Sequence, residues 1–338
     1  MKTTSSLSAW LRPTRLRAVT QWGLLAACLY LGIRFGLFIR HFETFGQTPA
    51  YTRPPGVEGF LPIGALVSLK HWLVNGTIDP VHPAALVLFV TFLALALLTK
   101  NAFCSWFCPL GTLSEWLWKG GQRLTGRTFQ VWSRLDLPLR GLKYLLLLFF
   151  LKLIVIDMPG EALQGFLASP YWAVADVRML QFFTAPSALS LGIIGLLILL
   201  SAVYRNFWCR YLCPYGALLG LLSFFSPLKV RRERAHCTAC RRCTAVCPSR
   251  LPVHRLQTVR SVECTACLTC VANCPAPGAL AVQPAFWRQS LPGWGFALLV
   301  VLVFAAGIGT GILTGHWQSV LTYEDFQQLI PFAAQIAH

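Results

Sequence analysis

Long apolar runs separated by short basic segments dominate the chain. Windows near the roughly 20 residues that cover a bilayer fall at about 18–40, 82–99, 139–157, 187–204 and 291–313, which predicts five transmembrane helices. The stretch 61–74, LPIGALVSLKHWLV, is apolar but short and carries Lys70 and His71, so it reads as an interfacial or re-entrant segment. One sizeable polar stretch, 229–290, interrupts the pattern before the last window.

Charge adds orientation to this pattern, because cytoplasmic loops retain Lys and Arg during insertion. Residues 1–17, 100–143 and 205–290 hold 23 of them, whereas 40–81, 158–186 and 314–338 hold four. The N-terminus and the 229–290 segment are therefore expected in the cytoplasm and the C-terminus in the periplasm. Composition agrees with a membrane chain: 338 residues are 55% hydrophobic and 12% charged, with a mean hydropathy of +0.58. A net charge of +17 would suit nucleic acid, but the basic run KVRRER at 229–234 abuts a membrane exit. Anionic lipid is its nearer partner, and no nucleic-acid partner is expected.

Twelve of the 13 Cys form four tight clusters, and only Cys28, a packing residue within the first window, stands alone. CTACRRCTAVCP at 237–248 and CTACLTCVANCP at 264–275 both read C-x2-C-x2-C-x3-C-P. In bacterial two-cluster ferredoxins the first three thiolates of such a run hold one 4Fe-4S cluster and the fourth ligates the other. Cluster A would take Cys237, Cys240, Cys243 and Cys274, and cluster B would take Cys264, Cys267, Cys270 and Cys247. Zinc also uses paired C-x2-C units but needs no third Cys at that offset, and disulfides do not suit thiols facing a reducing cytoplasm. Arg241 and Arg242 lie between ligands of cluster A where Leu268 and Thr269 stand in cluster B, so cluster A is expected to be the more easily reduced.

The remaining four Cys lie in NAFCSWFCPLGTLS at 101–114 and NFWCRYLCPYGALLG at 206–220, both C-x3-C-P-x-G-x-L and 105 residues apart. Each follows the cytoplasmic end of a window, so the chain reads as two parallel helix-pair repeats. Cys104, Cys108, Cys209 and Cys213 are candidates for a third iron–sulfur or soft-metal site; two cycling dithiols and plain packing are the alternatives. The expected organisation is a cytoplasmic N-terminus at 1–17, a first membrane repeat at 18–114, a basic loop at 115–138 and a second repeat at 139–228. A dicluster ferredoxin domain at 229–290, a last helix at 291–313 and a periplasmic tail at 314–338 complete it. The fold class is then a mainly α membrane protein with a small α+β insert.

The paired CSWFCPLG and CRYLCPYG motifs before a double ferredoxin run resemble the NapH/YccM-type family of membrane polyferredoxins. The likeness extends through RPPGVEGFLPI at 53–63, RGLKYLLL at 140–147, SPLKVRR at 226–232 and CPSRLPV at 247–253. It implies a multi-pass electron-transport protein of the bacterial inner membrane with two 4Fe-4S clusters. It also implies a quinol or membrane-bound redox partner and a cytochrome or reductase subunit. No phosphate loop, nucleophile elbow or zinc-hydrolase motif appears, so an electron carrier is expected rather than a stand-alone enzyme. The alternative is an iron–sulfur regulatory or metal-reducing assembly factor.

Overall fold

The computed structural model describes residues 12–127, 129–286 and 289–336. Most of the basic segment 1–17 lies outside the described residues, as do the last two residues of the tail. Helices dominate, and the only sheet among the described residues is a two-stranded antiparallel ribbon of Leu228–Arg232 and Leu280–Pro284.

Five spans in paired repeats are not what the chain forms. Pro13–Glu43, of 31 residues, and Gly293–Leu313, of 21, are long and apolar enough to cross a membrane. Ala175–Thr184 and Ala188–Val203 make a third only if the pair, bent by 76°, counts as one span. Pro83–Leu98 is as apolar as the windows suggested, but its 16 residues reach only roughly 24 Å at 1.5 Å per residue, short of the roughly 30 Å hydrocarbon layer. Ser133–Leu151 carries Arg134, Asp136, Arg140 and Lys143 together with an internal Pro138, and then passes into a π-helical turn at Lys152–Ile156. Hydropathy windows report composition and are blind to where a helix breaks, which is why they overcounted. The 61–74 stretch forms a helix, Pro62–Asn75, ended by Gly76 in the left-handed conformation (φ 73°).

The chain divides into two compact units. The first comprises Met1–Leu25, Phe92–Leu147 and Leu196–Phe304 and contains twelve of the thirteen Cys. In its ribbon Val230 pairs with Val282 and Arg232 with Leu280. Leu228, Val230, Leu280 and Val282 are buried on the shared face, as the two-residue period of a strand requires.

The second unit comprises Ala26–Thr91, Leu148–Gly195 and Ala305–His338. Phe35, Phe38 and Phe42 of the long first helix pack there against Phe326 and Ile330. Beside them Arg53 pairs with Glu58 at 2.8 Å and Asp176 at 2.7 Å, all with side chains no more than 7% exposed. His82 lies 3.0 Å from Arg53 through Nδ1, and Nε2 donates to the Trp172 carbonyl at 2.7 Å. Asp79 accepts from the His82 N–H at 3.1 Å and the Trp172 indole at 2.8 Å. Buried charges survive only when paired and hydrogen-bonded, so this network ties the segments around Arg53 and Asp79 to the start of the Ala175–Thr184 helix. The segment RPPGVEGF thus has a structural task that its sequence alone did not disclose.

Candidate metal centre

The ribbon brings the two ends of the cysteine-rich segment together, and the chain between its strands winds through both thiol runs. In each run the residues two and four positions after the first Cys adopt left-handed backbone: Ala239 (φ 54°) and Arg241 (φ 57°), Ala266 (φ 48°) and Leu268 (φ 55°). Side chains avoid this region, at a cost on the order of 1 kcal/mol or more per residue. Alternating right- and left-handed residues curl successive N–H groups toward a common anion. Four strained residues at matching positions therefore describe two cradles built for negatively charged sulfur and whatever it holds.

Cys247, Cys264, Cys267 and Cys270, the proposed ligands of cluster B, line one pocket whose other walls include Val230, Val253, Val259 and Leu268. The residues fit a cubane here: four soft donors face a shared apolar space. No three His, Cys, Asp or Glu among the described residues close on a single metal ion, and a cubane holds its thiolates further apart than one ion does. The Cys247 Sγ accepts the Leu251 N–H at 3.4 Å, while burial pushes the Cys247 thiol up to about 12 when no metal balances its charge.

The thiols proposed for cluster A are more open. Cys240 is exposed, Cys237 and Cys274 are partly buried, and only Cys243 is buried. Cys237 neighbours Cys240, and Cys243 neighbours Cys274. The Ala239 N–H and the Arg232 guanidinium, 3.6 Å from Cys237 Sγ, lower that thiol below its ordinary range. Arg241 and Arg242 are both exposed to solvent.

Cations that sequence reasoning missed gather instead around cluster B, each from a distant part of the chain. Lys100, 1% exposed, donates from Nζ to the Ser261 carbonyl at 3.1 Å and neighbours Cys264. Arg17 neighbours Cys267 and Arg205 neighbours Cys247. Separations of about 160 residues between Lys100 and its partners leave no local signal in sequence.

The C-x3-C-P motifs hold the same loops. Ser105, between Cys104 and Cys108, donates to the Thr265 carbonyl at 2.6 Å, and the Trp106 indole donates to the Ala266 carbonyl at 3.1 Å. Arg210, between Cys209 and Cys213, donates to the Ser249 carbonyl at 3.0 Å and is anchored by Asp136. Thr265 and Ala266 separate Cys264 and Cys267, the first two thiols proposed for cluster B, and Ser249 follows Cys247, the fourth. Each motif therefore grips one of the two chain segments that carry the proposed cluster B thiols.

Pro109 and Pro214 start the helices after the motifs, where a missing N–H costs nothing, and the preceding Cys caps each helix. Cys108 Sγ accepts the Gly111 N–H at 3.4 Å, and Cys213 Sγ accepts the Gly216 N–H at 3.2 Å. Gly111 has no room for a side chain, since a Cβ would collide with the Cys104 carbonyl. Gly111→Ala is expected to destabilise the protein by about 1–3 kcal/mol through overpacking. Gly120→Ala in the same helix meets nothing within 4 Å and should hold or raise stability. Thermal melting of the two variants against wild type checks the contrast, and equal Tm values would remove the close-approach argument.

The chain matches the 4Fe-4S dicluster domain family over residues 229–275 and the 4Fe-4S binding domain family over residues 81–128 and 184–233. It is 45% identical to the YccM protein of Escherichia coli (strain K12) over 334 residues, covering 97% of this chain and 93% of that one. The ferredoxin-type proteins NapH of Escherichia coli and Haemophilus influenzae are 28% and 30% identical, covering 71% and 70% of this chain and 77% of each relative. No solved structure matches it. A likeness of 45% that runs nearly end to end, with both iron–sulfur families falling on the thiol-bearing segments, places the chain in the NapH/YccM-type family of membrane ferredoxin proteins that carry two 4Fe-4S clusters.

Proposed function

We propose that this protein relays single electrons through cluster A and cluster B between a membrane donor, a quinol or a membrane-bound redox protein, and a cytochrome or reductase subunit. The observation that carries the reading is the gradient of exposure across the insert. Cys240 of the first set lies at the surface, whereas Cys247 and Cys267 of the second are buried among cations and C-x3-C-P residues. When bound, a cubane accepts and returns one electron at a time without a bond being rearranged. The chain holds the thiolates, excludes water from one set and leaves the other open to a partner. Cluster A is thus the exchange point with a partner outside the membrane.

We also propose that the insert faces the cytoplasm of a multi-pass inner-membrane protein. Residues 205–290, before the Gly293–Leu313 helix, hold 12 Lys and Arg, and residues 314–338 after it hold none. That bias across one span supports an inside location for the insert. A phosphatase reporter fused at the C-terminus is expected to be active, which requires a periplasmic location.

The relay is tested on the full chain purified without oxygen and placed in lipid. Two EPR signals should appear on reduction by a quinol and vanish on reoxidation, with about eight irons per chain. Cys267→Ser should remove one signal and spare the other. The exposure of Cys240 also suits a regulatory reading in which oxygen dismantles cluster A. Loss of its signal after one brief exposure to air, without recovery on reduction, would favour that reading over the relay.

A further inference from the structure

The two thiol runs fold alike but are not covered alike. Each carries its left-handed pair at matching positions and then a short helix, Arg242–Ala245 in the first run and Thr269–Ala272 in the second. In the second run the chain itself covers the loop. Ser105 and Trp106 take the Thr265 and Ala266 carbonyls, and Ala266 and Leu268 are 3% and 1% exposed. The matching residues of the first run, Thr238, Ala239 and Arg241, all stand in solvent together with Cys240. The insert thus presents the same loop twice, once packed and once bare, and the bare copy has Arg where the packed copy has Leu.

Positive charge gathers around the bare loop. Arg232, Arg241 and Arg255 reach it from the ribbon, the thiol run and the turn Val253–Arg255, and all three are electrostatic neighbours of His254. His254 is bound at 2.8 Å to Thr244, one residue after Cys243, and Arg232 lies 3.6 Å from Cys237 Sγ. Residues 229–290 hold only two carboxylates, Glu233 and Glu263, and Lys143 binds the second at 2.8 Å. The cations suited to lipid headgroups are a different set. Lys229 donates from Nζ to the Phe224 carbonyl at 3.0 Å, beside the exposed Phe225, and neighbours Arg231 and Arg260. Alternation along the ribbon puts Lys229 and Arg231 on the face opposite Arg232.

We propose that the bare loop, residues 238–242 with Arg232 and Arg255, is the docking surface for an acidic one-electron carrier protein, whose carboxylates meet the Arg while its redox centre approaches cluster A over Cys240. The inference rests on the relay and deepens it by naming the partner's chemistry. One electron passes between cluster A and the carrier's centre, one oxidised as the other is reduced; no bond forms or breaks and no proton moves. Complementary charge of this kind speeds encounter more than it tightens a complex, so it is read in rates and in their response to salt.

The full chain, held without oxygen in phosphatidylcholine nanodiscs and reduced stoichiometrically, is mixed in a stopped-flow with an acidic rubredoxin or a basic mitochondrial cytochrome c. Rubredoxin is expected to be reduced about tenfold faster at about 20 mM than at about 500 mM salt. At low salt Arg241→Glu/Arg255→Glu should slow rubredoxin by about tenfold and speed cytochrome c, with both EPR signals retained, and Arg241→Gln/Arg255→Gln should fall between. A change in driving force alone moves both rates the same way; opposite movement identifies the surface. Rates that ignore salt and both variants would overturn the acidic partner and spare the relay. A rubredoxin rate that collapses in phosphatidylglycerol discs for wild type but not for the Gln variant would put lipid headgroups on the loop and overturn it too. If neither carrier oxidises a chain whose two clusters are reduced, the relay itself falls.

Discussion

Lys100→Met is expected to lower the midpoint potential of cluster B by on the order of 50–100 mV and to leave that of cluster A in place. Each electron added to a cubane makes it one unit more negative, so a nearby cation favours the reduced form. A unit charge about 8 Å away is worth roughly 2 kcal/mol at an effective dielectric near 20, and about 59 mV corresponds to a tenfold change in a one-electron couple. Lys100 earns the larger part of such a figure because water scarcely reaches it and no carboxylate pairs with it among the described residues. Arg17 lies near the same cluster but is neutralised by Glu115 at 2.7 Å. Arg241 and Arg242 carry more charge per ligand loop but stand in solvent, where screening cuts the interaction to a fraction. Burial therefore moves the strongest charge control from cluster A, where sequence reasoning put it, to cluster B. EPR-monitored redox titration checks the shift, with Lys100→Arg restoring most of it. Unchanged midpoints in Lys100→Met would mean the ammonium is too far from the cluster to act.

What could be read in the sequence and what could not divide along the reach of the signal. The two C-x2-C-x2-C-x3-C-P runs are local patterns, and the family match at 229–275 falls on them. The matching left-handed residues at Ala239, Arg241, Ala266 and Leu268 carry Ala, Arg and Leu rather than Gly, so no residue choice advertised the strain. The C-x3-C-P motifs were equally visible, but their grip on Thr265, Ala266 and Ser249 was not. Nor did the sequence announce Lys100 or Lys143, whose hydrogen-bond partners Ser261 and Glu263 lie more than 100 residues away. The span count failed for the opposite reason. Apolar composition is a strong local signal at 82–99 and 139–157, yet Pro83–Leu98 ends after 16 residues and Ser133–Leu151 begins with charges that bind Arg210 and Tyr211 through Asp136.

Glu115→Gln is expected to cost about 3–5 kcal/mol at neutral pH, the range for breaking a buried ion pair, and the cost should shrink in acid. Glu115 accepts from both terminal nitrogens of Arg17, at 2.9 and 2.7 Å, and from Lys119 at 2.5 Å. Burial pushes its carboxyl upward, but Arg17 and Lys119 outweigh that and hold it down to about 2, against an ordinary 4.5. A carboxyl with a depressed folded pKa adds stability that is complete above the unfolded value and disappears as pH falls through the folded one. The difference here amounts to roughly 3 kcal/mol, present above pH 4.5 and lost on the way down to about 2. Acid strips clusters from wild type and variant alike, so the gap between their denaturation curves, measured from pH 7 downward, isolates this carboxyl. The gap should be widest at neutral pH and close between pH 4.5 and 2; a constant gap would show that the lost packing, not the lost charge, destabilises the variant. Gln21 donates to Glu115 at 3.2 Å and to the Ser105 carbonyl at 2.9 Å, and Ser105 holds the Thr265 carbonyl. Loosening Glu115 therefore loosens the first C-x3-C-P motif, and EPR of the variant at pH 7 should show a broadened cluster B signal before any loss of iron.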